Sequence, residues 1–343
     1  MITRNPYVLL KLNRLLKNHS LKCLGVLVAD MVGMRHLSVR LDPALACNLR
    51  CQMCHFSSPE YAGKKREIMP LADYERIASL LFPKSLQLVL GCSAEPTLHP
   101  ELPRMVEIAK RIHKVPFVGI ATNAQLLTES LAEKLVEAGL DEFTISMHGV
   151  EKETYERLQP PASYEKLHRA LAVLTDLAAK SPRPFKVRIN YTVNPSNQAQ
   201  LVDFFQHFGQ YKIDLLQVRK IFDLGNTVYQ DRDLGPFLDS LARTRAILQE
   251  RCHERKTTLL CPPFESETGK GTPASAILLP LVLRFASPEI VWKRDFQWRT
   301  ESYEAYCKRT GWRRSVLAMA RRKSSDLVRE LENGERSLGY DVD

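Results

Sequence analysis

The sequence lacks any uninterrupted apolar run of the roughly 18 residues that a spanning helix needs, so it offers no transmembrane candidate. It also lacks a secretory signal: the apolar stretch Leu21–Met34 starts too far in, contains Asp30 and has no small-residue cleavage site. Eight cysteines in 343 residues are too few for a disulfide scaffold. A reducing cytosol is therefore the expected compartment. Glycine (15) and proline (20) are too sparse for a collagenous chain, and no internal repeat or biased tract stands out. What remains is globular in composition, 44% apolar and 26% charged, with room for one large domain or a domain plus an appendage. Acidic residues are outnumbered 39 to 49, a net charge of +10. That balance suits an anionic partner such as nucleic acid, a phosphorylated substrate or a membrane face, and identifies none of them.

From about residue 37 to 220, short β-rich runs alternate with helical patterns. The runs are Leu37–Leu41, Leu86–Leu90, Phe117–Ala121, Glu142–Ser146, Lys186–Val193 and Asp214–Lys220. Between them, apolar residues recur at helical spacing: Leu102, Met105, Val106, Ala109 and Ile112 in one segment, Leu167, Ala170, Leu171 and Leu174 in another, Leu201, Phe204, Phe205 and Phe208 in a third. Thr128 is placed to cap one helix and Gly139 to stop it. Six strands alternating with helices imply parallel pairing through right-handed crossovers. Six units fall short of the eight of a closed barrel. The expectation is an α/β fold, a partial (β/α)6 TIM-like barrel with a mainly helical C-terminal extension; a doubly wound order fits the same pattern. The parts read as a basic leader (1–35, with Arg4, Lys11, Arg14, Lys17 and Lys22), a core (36–225) and a C-terminal cap or substrate region (226–343). The leader reads as an amphipathic helix packed on the barrel or, in a sharper reading, as an interfacial membrane helix.

Chemistry concentrates just after the first strand, where "LDPALACNLRCQMCHFSS" holds Cys47, Cys51 and Cys54 in a Cys-x3-Cys-x2-Cys array. Three thiolates this close suit a soft metal centre. A structural zinc site is normally closed by four ligands, whereas a cubane cluster on three cysteines keeps one iron open. Zinc completed by His55 or a distant residue, and three thiols grouped by chance, stay as alternatives at this point.

The array resembles the signature of radical S-adenosylmethionine (radical SAM) enzymes, and the resemblance runs from Leu37 to about Gly225. "GCSAEPTLHPEL" is similar to the family's Gly-Gly-Glu-Pro motif, with Glu95 and Pro96 kept and Ser93 and Ala94 in place of the glycines. "ATNAQLL" is similar to its Thr-Asn-Gly turn, with Ala124 for Gly. "ISMHGVEKETYERL" resembles its Ser-x-Asp-Gly segment with a downstream Arg157, His148 standing for the Asp; Asn190 matches a polar position on the fifth strand.

The resemblance implies a [4Fe–4S] cluster on Cys47, Cys51 and Cys54, with S-adenosylmethionine (SAM) chelating the fourth iron. One electron then splits the sulfonium to methionine and a 5′-deoxyadenosyl radical, which abstracts a substrate hydrogen. Glu95 would accept from the SAM amino group and Arg157 would clamp its carboxylate. Ser146 and Asn190 would bond ribose or carboxylate, and Asn123 would bind cofactor or shape its turn. Met53 would pack on the adenine side, and His148 would cap a loop or, less in keeping with its place, face the substrate where the family has Asp. Many relatives carry further clusters in a cysteine-rich C-terminal domain; only Cys252, Cys261 and Cys307 fall there, nine and forty-six apart, as in a degenerate SPASM/twitch-type extension. They read as structural thiols, as ligands of one added cluster, or, for Cys261 or Cys252, as a hydrogen-atom donor to a substrate radical. The implied protein is an oxidoreductase or isomerase served by a reduced flavodoxin- or ferredoxin-like electron donor. Its substrate would be a peptide or a small natural-product or sugar-like molecule. RNA or a lipid head group comes second, given the charge and the basic face Arg313, Arg314, Arg321, Arg322 and Lys323. A noncatalytic metal-binding adaptor is the rival from another class.

Overall fold

The computed structural model describes Leu16 and residues 18–57, 66–220, 235–261 and 278–333. After helix α1 (His19–Met31) comes β1 (Leu37–Leu41), then a two-residue antiparallel pair, β2 (Ala44–Leu45) with β3 (Glu67–Ile68). The alternation follows: α2 (Leu71–Leu81), β4 (Ser85–Leu90), α3 (Leu102–Glu107), β5 (Phe117–Thr122), α4 (Glu129–Ala138) and β6 (Glu142–Met147). Next are α5 (Lys152–Leu158), α6 (Tyr164–Lys180), β7 (Lys186–Val193), α7 (Phe204–Phe208) and β8 (Leu215–Lys220). All six expected strands form. Thr128 caps α4 by accepting from the Leu131 amide, and Gly139 ends it at φ 109°. Ile112 departs from its expected buried face and stands exposed. The helix continues past α3 as a π-helical turn over Ile108–Ile112, which rotates the following side chains off the 3.6-residue stripe.

Every pair in the main sheet is parallel, in the order β10-β1-β4-β5-β6-β7-β8-β9. One strand face is fully buried against helices, as in Val187, Ile189, Tyr191 and Val193 of β7. The other face is polar and only partly buried: Arg188 and Asn190 on β7, Gln217 on β8 and Ser146 on β6. A parallel sheet sandwiched between two helical layers would be apolar on both faces; here the second face lines a cavity. Electrostatics gives the curvature. The Arg219 guanidinium on β8 is shifted down by its surroundings, then by the charges of Arg40 on β1 and Arg188 on β7. In a flat sheet five strand spacings, about 24 Å, would separate β8 from β1, beyond the reach of a screened charge. The sheet curls into the expected partial barrel.

The region after residue 225 is mainly helical, with α8 (Gly235–Glu254), α9 (Leu279–Val282), α10 (Tyr303–Arg309), α11 (Trp312–Arg321) and α12 (Ser324–Asn333). It also continues the strand series, which the sequence pattern ends at that point. β9 (Thr258–Leu260) pairs with β8, and β10 (Leu283–Ala286) returns to pair with β1. Three- and four-residue strands carry too little periodicity to read. Arg284 pins the β10 edge: fully buried, it donates to the Tyr303 hydroxyl (2.8 Å) and the Leu281 and Leu283 carbonyls (3.1 and 2.8 Å), with its guanidinium 3.9 Å from the Trp292 ring. Of the expected leader, α1 and Lys22 are described; Arg4, Lys11, Arg14 and Lys17 lie outside the described residues.

Candidate active site

The cysteine loop leaves the carboxyl end of β1 and is fastened at both flanks. The Ala46 carbonyl accepts from the Glu95 amide (2.9 Å), Arg50 N–H donates to Pro160 O (2.6 Å), and Gln52 N–H to Leu158 O (3.0 Å). The Gln52 side chain reaches the Arg157 carbonyl (3.0 Å). Within the loop, Ser57 Oγ donates to Cys51 O (2.7 Å) and Cys54 N–H to the same carbonyl (3.0 Å). Cys47, Cys51 and Cys54 are free, partly buried thiols. Burial pushes Cys47 up to about 11, and it raises Cys51 further still, helped by the neighbouring Cys54 and Cys47 charges. Three sulfurs that disfavour one another's ionisation in a dry pocket become a stable trithiolate only around positive charge. Among the described residues no three His, Cys, Asp or Glu side chains close on one metal-ion position, the triad included. The zinc alternative through His55 turns on a side chain outside the described residues. Met53 is buried within the loop.

Behind the thiols stands Glu95, 2% exposed. Its Oε1 accepts from Thr97 N–H (3.1 Å), Thr97 Oγ1 (2.5 Å) and Thr122 Oγ1 (2.6 Å), and its Oε2 from Asn123 N–H (2.8 Å). Burial raises its pKa against these four stabilising bonds. Asn123 passes the connection on: its Nδ2 donates to Asn48 Oδ1 (2.8 Å) and lies 3.8 Å from Cys47 Sγ. Ala124, where the family turn has glycine, takes the left-handed conformation at φ 61°.

The sequence reading missed Asp42, the fully buried residue that follows β1. Its carboxylate collects the Cys92 amide (2.5 Å), the Ser93 amide (3.1 and 3.2 Å), the Ala94 amide (3.5 Å) and the Ser93 hydroxyl. The Ser93–Ala94 departure from Gly-Gly thus comes with its own anchor. Gly91 is required just before it: φ is 80°, and a Cβ would stand 2.5 Å from Ala121 O and from Pro96 Cδ. The available signal was a lone acid between a strand and the cysteine loop.

Ser146 and Asn190 are register partners near the ends of β6 and β7, on the cavity face. The Asn190 Oδ1 is buried without a hydrogen-bond donor. The Arg157 side chain is exposed, and the contact it makes with the cysteine loop is through its backbone. His148 is buried: its N–H donates to Gln159 Oε1 (2.9 Å), its carbonyl accepts from Asn197 Nδ2 (2.8 Å), and burial pushes its imidazole down to about 4. On the same cavity face lie three cations the sequence reading passed over, Arg40, Arg188 and Arg219. Arg188 pairs with Glu142 (2.9 Å) and donates to Gln217 Oε1 (3.1 Å), and Arg40 lies against the Cys92 thiol. The legible signal was parity: each arginine alternates with the buried aliphatics of its strand in "LSVRL", "KVRINYTV" and "LQVRK".

The C-terminal cysteines are elsewhere. Cys252 on α8 and Cys261 after β9 share a cleft of about 370 Å³ with Arg245, Gln249 and Thr257. Leu259, which lines it too, pairs with the fully buried Leu216, so the cleft opens on the helix side of the sheet. Cys307 neighbours Tyr303 and Arg284. The structure brings none of the three to the triad.

Residues 42–208 match the Radical SAM superfamily. That segment is a radical SAM domain. Its cofactors are those of the superfamily, a [4Fe–4S] cluster and SAM. A probable GTP 3′,8-cyclase of Saccharolobus solfataricus is 27% identical over 212 residues, covering 60% of this chain and 64% of that protein. The GTP 3′,8-cyclase of Chlorobaculum tepidum is 30% identical over 146 residues, 43% of each chain. Similar in fold is Streptococcus suis SuiB bound to S-adenosylmethionine, with a TM-score of 0.57 and 18% identity over 76% of this chain and 60% of that one. The chain thus spans less than two thirds of the length of these relatives. No described helix is long and apolar enough to cross a membrane.

Proposed function

We propose that this radical SAM enzyme abstracts hydrogen from a small anionic substrate held on the cavity face of the barrel. The observation that carries the reading is the cationic layer of Arg40, Arg188 and Arg219 on one face of the sheet, where Arg188 pairs with Glu142. Like charges gathered on one wall repel one another and favour a ligand that supplies the opposite sign. Phosphate or carboxylate groups match arginine forks. The relatives' name points the same way, since GTP is a polyanion. Peptide, sugar-like, RNA and lipid substrates remain compatible where they carry such groups.

The triad fits the cluster by donor chemistry. Cys47, Cys51 and Cys54 would hold it, with a reduced flavodoxin- or ferredoxin-like protein as electron source. When bound, the cluster and SAM supply a 5′-deoxyadenosyl radical that takes the substrate hydrogen. The chain's residues position the partners. Glu95 has one acceptor site left on Oε2 after its four internal bonds, enough for the SAM ammonium. Asn190 offers its free Oδ1 to a hydroxyl, with Ser146 beside it. The exposed Arg157 is free to turn toward a carboxylate. Cys252 and Cys261, on the helix side of β9, have no part in this reading. All eight cysteines are free, which supports a reducing cytosol.

The test is anaerobic reconstitution. Iron should reach about four per chain, and reduction with SAM should release 5′-deoxyadenosine. Replacing the triad with alanines should abolish both. Arg40→Gln and Arg219→Gln should keep iron and substrate-free SAM cleavage while weakening pyrophosphate binding, read by calorimetry, roughly tenfold each. Unchanged binding removes the anionic-substrate reading; a colourless, zinc-loaded protein removes the enzyme and leaves the adaptor.

A further inference from the structure

Seven of the twelve large apolar side chains that stand exposed among the described residues fall between Leu16 and Met34. On α1 they repeat at three- and four-residue steps as Leu21, Leu24, Val28 and Met31, continuing into Val32 and Met34; their exposure runs from 39% at Leu24 to 63% at Val32. They share one helix face. The opposite face is already used: Cys23 is fully buried, Val26 and Leu27 pack on the core, and Asp30 is buried against Lys84 (3.1 Å), His36 (3.9 Å) and Arg313 (2.8 Å). The helix is thus apolar on two sides and buried on one, which a surface helix of a monomeric domain ordinarily avoids.

Charge says what covers the other side. α11 runs antiparallel beside α1, tied at one end by Arg313 to Asp30 and at the other by His19 Nε2 to the Arg322 carbonyl (2.9 Å). The exposed Arg313 and Arg314 therefore flank the Met31 end of the stripe, and the exposed Arg321, Arg322 and Lys323 its Leu21 end. Asp30, the one acid of α1, is buried and paired. Glu304 stands 3.7 Å from Lys84, and Asp326, after the second basic cluster, pairs with Arg329 at 3.7 Å. An apolar stripe between two basic clusters matches a bilayer surface with anionic head groups: side chains enter the acyl boundary while guanidinium and ammonium groups bind phosphates.

We propose that the α1–α11 face docks the enzyme on an anionic lipid bilayer, lying in the interface rather than spanning it. The proposal is independent of the substrate reading, because its residues lie outside the candidate active site. It is tested by sedimenting the reconstituted 343-residue chain with phosphatidylcholine vesicles containing about a third phosphatidylglycerol. The protein should pellet with these vesicles, and far less with pure phosphatidylcholine or in 0.5 M salt, which screens the basic clusters. Leu24→Asp/Val28→Asp should lower partitioning roughly tenfold or more. Both side chains are exposed, so iron content, 5′-deoxyadenosine release and thermal midpoint should stay at parental values. Arg321→Glu/Arg322→Glu should lower partitioning without the apolar change. Absence of pelleting with anionic vesicles overturns the proposal, and so does pelleting that the aspartate pair leaves intact. A dimer in sedimentation equilibrium that the aspartate pair splits, with no vesicle binding, overturns it in favour of a second copy of the chain.

Discussion

Around the cysteine loop two buried carboxylates are closed by donors from the chain itself, whereas along the inner faces of β1, β7 and β8 three arginines gather and one buried acceptor is left over. Asp42 takes four donor groups and Glu95 four hydrogen bonds, both deep in the protein. Arg188 pairs with the buried Glu142, and Asn190 Oδ1 meets no donor. The first region fixes the loop that presents three sulfurs. In the proposed reading the second is completed by what binds. Preorganised scaffold and unfilled binding wall are two states of the same polar chemistry, told apart by whether the hydrogen bonds close.

Changes at the two regions should therefore differ in sign. The largest loss is expected at Asp42→Asn, which keeps the shape and turns a donor toward the Cys92 and Ser93 amides. Stability should fall by about 2–4 kcal/mol in urea unfolding, and iron retention with it. Acid acts next, through His148. Its folded pKa, about 4, lies below the ordinary 6.5, so the unfolded chain binds the extra proton first. The contribution is complete above pH 6.5 and is lost as pH falls toward 4, which amounts to about 2 kcal/mol by pH 5. His148→Gln should flatten that part of the profile; an unchanged slope would assign it to other groups. The smallest effect has the opposite direction. Arg219→Gln removes repulsion from Arg40 and Arg188 and should raise the thermal midpoint by roughly 1–3 °C while impairing ligand binding. A destabilised Arg219→Gln would mean that the wall is as self-satisfied as the loop.

The six central strands, the α4 caps and the triad were legible because each is local: alternation, a Thr and a Gly at the right offsets, three cysteines in eight positions. β9 and β10 were not, being three and four residues long and held by partners far along the chain. The motif resemblance located Glu95 and Asn123 but not the geometry that binds them to Cys47, and it passed over Asp42, whose donors come from fifty residues downstream. The arginine layer was written in strand parity, yet its meaning needed the curl that brings β1 across to β8. Cys252 and Cys261 drew attention by residue type alone, and the sheet sets them on its helix side.

The central claim is that Cys47, Cys51 and Cys54 hold a cluster with one corner open to SAM. Low-temperature electron paramagnetic resonance of the anaerobically reconstituted, dithionite-reduced protein tests it directly. The account predicts the signal of a reduced [4Fe–4S] cluster whose g-values shift when SAM is added, and no such signal after triad replacement. A spectrum free of iron–sulfur signal, or one that SAM leaves unmoved, would contradict it.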